Sequence, residues 1–125
     1  RGTVNGMALK TLEKMKAAFG TEPKNVLVGI GPAISYCCFE AGSEVKAEFL
    51  EKLPFSAEYI RPSENEGKCY IDLKAVNRRI LLDAGVAESS IEVSQECTKC
   101  LGDRFYSHRR MGEKRGSMAA FLELK

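Results

Sequence analysis

Apolar residues at the start of the chain recur at helical steps: Val4, Ala8, Leu12, Met15 and Phe19 are separated by four, four, three and four positions. That spacing places them on one face of a helix, with Gly20 where a left-handed C-terminal cap belongs and Pro23 just beyond. The pattern then changes. Val26-Leu27-Val28-Gly29-Ile30 is a continuous apolar run with β-branched residues, which predicts a strand buried on both faces and ended by Gly31-Pro32. Ser43 is the expected N-cap of a second helix, whose Val45, Phe49, Leu50 and Leu53 share a stripe until Pro54 stops it. Tyr59-Ile60-Arg61 and Cys69-Tyr70-Ile71 flank the polar Glu64-Asn65-Glu66-Gly67 and predict a hairpin with a longer loop. Asp72 then caps a third helix along Leu73, Val76, Ile80 and Ala84, with Gly85 as its C′ residue. Ile91-Glu92-Val93-Ser94 alternates like a half-buried strand, and Met118-Ala119-Ala120-Phe121-Leu122 predicts another. Three helices among about five strands, without repeats or linkers, make one α+β domain, or part of one, with mixed sheets covered by helices.

Composition narrows the class. At 125 residues, 44% hydrophobic and 29% charged, the chain is too apolar and too varied to be disordered, collagenous or a coiled coil. A chain this long buries enough surface to fold without metals or disulfides. No apolar run approaches the roughly 18 residues a bilayer requires, so the expectation is a cytoplasmic protein with no membrane partner. The 19 Lys and Arg nearly balance 17 Asp and Glu, which argues against a nucleic-acid partner. Arg1 opens the sequence without an initiator Met and a helical pattern begins at once, so the chain is expected to be part of something longer.

Several segments offer chemistry. Gly29-Ile30-Gly31-Pro32-Ala33-Ile34-Ser35 follows a strand but completes neither glycine-rich phosphate-loop pattern, so a tight turn with close backbone packing is expected. Five cysteines cannot all pair within one chain, and reduced thiols are expected. Adjacent Cys37 and Cys38 should point in opposite directions on extended backbone, at least one of them as an inert buried thiol. Cys97-Thr98-Lys99-Cys100 is a single C-x-x-C whose spacing is not repeated, and no helical stripe follows it as in a redox unit, so structural thiols are expected. From Arg104 to Arg115, six of the twelve residues are basic when His108 is counted. Guanidinium forks bind phosphate or carboxylate, although charge runs also commonly face water. His108 is the only histidine, so no His-rich metal site and no second His-based dyad can be built here. It remains a candidate base for Cys97 or Cys100.

Taken together, Arg1-Gly2-Thr3, Gly31-Pro32-Ala33-Ile34 with Cys38-Phe39-Glu40-Ala41-Gly42, Asp72-Leu73-Lys74-Ala75-Val76-Asn77-Arg78, Cys97-Thr98, and Phe105-Tyr106-Ser107-His108-Arg109-Arg110 with Gly116-Ser117-Met118-Ala119-Ala120-Phe121 resemble the YfiH-like family. The resemblance implies a YfiH-like, cysteine-hydrolase-type fold, of which this chain is the C-terminal portion, truncated at its N-terminus. It also implies a zinc-dependent purine nucleoside phosphorylase acting on inosine, adenosine, guanosine and methylthioadenosine, with adenosine deaminase activity. The zinc ligands are expected upstream of Arg1, leaving no metal ligand in this chain, so Cys97 and Cys100 are not expected to take their place and the chain alone should be inactive. Phosphate and substrate contacts are expected from Arg1, Arg109, Arg110 and His108. The chain departs from the family pattern at Met111, where an acidic residue is frequent, and at Ser117, where arginine is. The family's older label implies a copper-dependent, laccase-type polyphenol oxidase. A non-catalytic anion- or RNA-binding domain using Arg104 to Arg115 is the third reading.

Overall fold

A computed structural model describes residues 1–123. In chain order the elements are α1 (Met7–Phe19), β1 (Val28–Ile30), β2 (Glu40–Gly42), α2 (Ser43–Lys52), β3 (Ile60–Pro62), β4 (Lys68–Ile71), α3 (Leu73–Asp83), β5 (Ile91–Val93) and the short α4 (His108–Met111). Strands β1 and β5 pair in parallel, Val28 opposite Ile91 and Ile30 opposite Val93. The other three form an antiparallel sheet in the order β2, β4, β3. The expected hairpin is β3 and β4, with Ile60 opposite Ile71. The fold is α+β, as expected.

Two apolar clusters hold these layers together. Val4, Ala41, Phe49, Cys69, Ile71, Val76 and Ile80 fill the space between the antiparallel sheet and the helices. Leu12, Leu81 and Val86 form a smaller cluster against Val28, Ile30 and Ile91 of the parallel pair. Helix α3 serves both, because Val76 and Ile80 enter the first cluster while Leu81 enters the second. Its start is anchored as the sequence predicts: the Asp72 carboxylate accepts the Ala75 N–H at 3.0 Å, satisfying an amide that the helix leaves unpaired. Asp72→Ala should therefore lower the unfolding free energy by about 1 kcal/mol, measured by urea titration. Gly85 follows the helix at φ 96°, a conformation that favours glycine.

Four expectations need correction. Helix α1 begins at Met7 behind a left-handed Gly6, so Val4 is buried from the preceding turn, while Phe19 is 83% exposed. The run from Val26 is strand only from Val28 on and is not buried on both faces: Pro23–Asn25 before it is a 3-10 turn, Leu27 is 69% exposed, and Gly29 within β1 is exposed. Helix α2 is preceded by extended Gly42 with no side-chain cap, so Ser43 is its first residue rather than its N-cap. Finally, 118–122 pairs with no strand among the described residues; the fifth strand is β2, whose Ala41 faces Cys69 across the sheet.

One buried group has no partner. Ser56 is wholly buried, and its hydroxyl meets no acceptor or donor among the described residues. Ser56→Ala should be neutral or should stabilise the chain by about 1 kcal/mol, read as a higher urea midpoint.

Candidate functional site

Parallel strands place their C-terminal ends together, and in open α/β sheets that end is where ligands bind. Here the ladder continues past the strands with one extra residue on the β5 side. Ser94 N–H donates to the Ile30 carbonyl at 2.8 Å, and Thr98 N–H donates to that of Ala33 at 3.2 Å, so Ala33 and Cys97 form a parallel bridge. Both chains then turn sharply. Cys38 and Phe39 N–H donate back to the Ser35 carbonyl at 2.9 and 3.0 Å, and Leu101 N–H donates to that of Cys97 at 3.0 Å. Apart from their chain neighbours, no atom of the described residues lies within 4 Å of where a Cβ would stand at Gly29 or Gly31, so neither position shows the expected close packing.

These two turns bring four cysteines together. The sulfurs of Cys37, Cys38, Cys97 and Cys100 all lie within 4.8 Å of one another. Cys37 and Cys38 do not point apart: their Sγ atoms are 3.6 Å apart because a turn, not a strand, carries them. Neither is fully buried, which corrects the expectation of an inert core thiol; Cys37 is exposed and Cys38 half-buried. Cys97 is the buried member, 6% exposed. Burial opposes its ionisation. That effect is outweighed by backbone N–H groups of Ser35, Cys100 and Lys99, which bring its pKa down to about 6. The Ser35 N–H stands 3.4 Å from the sulfur. Burial and its thiol neighbours push Cys38 up to about 12. The group contains no histidine, and no side-chain hydrogen bond among the described residues joins His108 to Cys97 or Cys100.

A second feature was invisible in the pattern. Lys74 on α3 is 7% exposed, and its Nζ donates to the carbonyls of Ser94 and Glu96 at 2.7 and 2.8 Å. It ties the helix to the loop that leads into Cys97. Beside it an open groove of about 480 Å³ is lined by Ser35, Tyr36, Cys37, Asp72, Lys74 and Arg78 among others.

The basic segment divides into separately anchored residues. Ser107 is 5% exposed, and its carbonyl accepts from Arg110 and Met111 as α4 begins. Arg109 Nη1 donates to the Glu40 carbonyl at 2.7 Å, and its guanidinium lies 5.2 Å from the centre of the Phe39 ring. Arg110 lies across Gly102 so closely that a Cβ there would sit 1.2 Å from Nη1. Arg104 pairs with Glu96 at 2.5 Å. His108 opens α4 and is exposed. Arg1 lies at the α1 end: its carbonyl accepts from Asn5, and its charge acts on Glu48 of α2. Thus Arg109, Arg110 and His108 share one short helix, and no hydrogen bond or ion pair among the described residues joins Arg1 to them.

The family described as multi-copper polyphenol oxidoreductase laccase matches residues 1–125. This chain belongs to that family. Within it, the chain is 34% identical over its whole length to the purine nucleoside phosphorylase YlmD of Bacillus subtilis, covering 45% of that protein. It is 40% identical over 93% of its length to a purine nucleoside phosphorylase of Bacteroides thetaiotaomicron, covering 43% of it. An adenosine deaminase from an unknown prokaryotic organism is 37% identical over 93% of the chain, which covers 44% of that protein. The chain therefore spans less than half the length of these relatives. Among solved structures, Bacillus licheniformis YfiH superposes with a TM-score of 0.76 at 34% identity, over 87% of this chain and 41% of that one. Geobacillus stearothermophilus YlmD gives 0.75 at 35% identity, over 88% and 41%.

The family's metals can be tested against the donors present. Several Cu(II) ions require multiple imidazoles, and a catalytic zinc requires an open position among mixed ligands. This laccase-family chain has one histidine, and it lies outside the four-cysteine group. Its donors fit neither arrangement.

Proposed function

We propose that this chain supplies the phosphate-binding side of a purine nucleoside phosphorylase, and that activity requires the larger domain of which it forms the C-terminal portion. The observation that carries this reading is the posture of Arg109, in a chain whose whole length matches a little under half of a protein named purine nucleoside phosphorylase. One of its five N–H donors is spent on the Glu40 carbonyl, and the guanidinium plane is steadied by Phe39. The exposed remainder is left oriented for an anion. An arginine held this way presents a fork that matches a phosphate dianion.

In the reaction, a phosphate oxygen bonds to the ribose anomeric carbon as the glycosidic bond breaks, and that bond's electron pair leaves with the base, which takes up a proton. Holding phosphate in line beneath the ribose removes much of the entropic barrier. Arg109 is assigned that binding, with Arg110 and His108 beside it on α4 and Arg1 as a further anion or substrate contact. Inosine, adenosine, guanosine and methylthioadenosine are the proposed nucleosides. Adenosine deamination, which needs a metal-activated water, is assigned to zinc ligands outside this chain.

The test is phosphate-dependent release of the purine base from inosine or adenosine by the protein that contains this chain. No release at saturating phosphate and zinc overturns the reading. Arg109→Ala should raise the phosphate KM on the order of tenfold or more, equivalent to the loss of one charge-assisted hydrogen bond, with a smaller effect on the nucleoside KM. An unchanged phosphate KM removes Arg109 from the site.

A further inference from the structure

Four sulfurs from two turns converge on one point, a placement that neither local sequence nor the proposed phosphorolysis requires. Cys37 and Cys100 are 3.7 Å apart, Cys38 and Cys100 3.5 Å, and Cys37 and Cys38 3.6 Å. A tetrahedron of thiolates around zinc, with Zn–S near 2.3 Å, places its sulfurs about 3.8 Å apart. The observed separations are close to that edge and far longer than a disulfide bond of about 2.05 Å. They are also too tight for an iron–sulfur cluster, whose cysteines ligate separate iron atoms.

We infer that Cys37, Cys38, Cys97 and Cys100 hold one zinc ion in a closed, all-thiolate structural site. Four protein ligands leave no position for water or substrate, so the ion's role is to hold the two turns together rather than to react. The surroundings suit this. The Ser35 N–H points at Cys97 Sγ, and Thr98 N–H is fastened to Ala33, so the backbone presents the buried sulfur before any ion arrives. A dithiol redox centre fits less well, because burial shields Cys97 from the thiol or disulfide of another molecule.

The site has a consequence for position. From Cys38 the chain passes directly to Phe39 and Glu40, the two residues that seat Arg109. From Cys100 it passes through Gly102, on which Arg110 lies, to α4. One ion at the cluster thus pins both the seat and the approach of the basic helix.

The experiment is elemental analysis and cobalt substitution of the 125-residue chain, purified under reducing conditions. About one zinc per chain is expected. Cobalt should give intense sulfur-to-metal charge transfer in the near ultraviolet together with tetrahedral ligand-field bands in the visible. Cys37→Ser and Cys100→Ser alter exposed positions, and each should weaken zinc binding on the order of a hundredfold, as loss of one of four ligands implies. Chelation should lower the melting temperature of the parent chain, and that of Cys100→Ser by clearly less. Zinc should also protect Cys37 and Cys100 from alkylation. A metal-free chain with freely alkylated thiols, a disulfide within the group, iron–sulfur absorption without zinc, or octahedral cobalt lacking charge transfer each overturns the assignment.

Discussion

Replacing Ile71 by alanine should lower the unfolding free energy by about 3 kcal/mol and the melting temperature by roughly 10 °C. Ile71 has no solvent-accessible surface, and it sits where β4 ends and the capped helix α3 begins. Its side chain belongs to the larger core cluster, and its N–H donates to the Phe39 carbonyl at 3.2 Å. Truncation removes three carbons from a packed site whose neighbours, Val76 and Phe49 among them, are held by helices and can close over the gap only in part. Phe121→Ala provides the contrast. That ring is 95% exposed, so its loss should change stability by no more than about 0.5 kcal/mol. Urea titration of both variants decides the matter, and equal losses would show that the burial of Ile71 is not what stabilises the fold.

Lys74→Met should cost about 2 kcal/mol and loosen the loop before Cys97. Methionine keeps most of the length and apolar volume of the side chain, so the substitution isolates the ammonium group. Two charge-assisted hydrogen bonds, at 2.7 Å to Ser94 and 2.8 Å to Glu96, are lost together. Removing the charge also relieves some desolvation of a nearly buried cation, which is why the expected loss is less than two such bonds would sum to. A general loss of stability would speed exchange everywhere. A local one should act first on the Thr98 amide, bonded to Ala33 two residues past the Lys74 contact, and on alkylation of the buried Cys97. Hydrogen exchange that leaves Thr98 as protected as in the parent would show that Lys74 does not organise this loop.

Where burial and local backbone chemistry act within one element, they were legible in the chain. The stripe Leu73, Val76, Ile80, the Asp72 cap and the Gly85 turn sit as their spacing predicts, because all three follow from the helical period and from amides and carbonyls a few residues apart. The β3–β4 hairpin was legible for the same reason: its pairing is between neighbours joined by a short polar loop. Failures came where the partner was distant. Leu27 and Phe19 look like core residues in the sequence, yet nothing in the described chain packs over them. Strand β2 carries no apolar run; pairing with β4, about thirty residues away, makes it a strand.

The candidate sites divide along the same line. Sequence alone determined that the chain carries a Cys-Cys pair, a C-x-x-C, one histidine and a basic segment, and that its pattern is that of a known family. Those are properties of residue identity and short spacing. Only the tertiary structure decided that the two cysteine pairs, some sixty positions apart, form one group. It also decided that Arg109 is seated on Phe39 and Glu40, and that Lys74 is a buried tie rather than a surface charge. The reason is physical: parallel pairing of β1 with β5 depends on hydrogen bonds between segments that share no local signal, and both turns inherit their meeting point from that register.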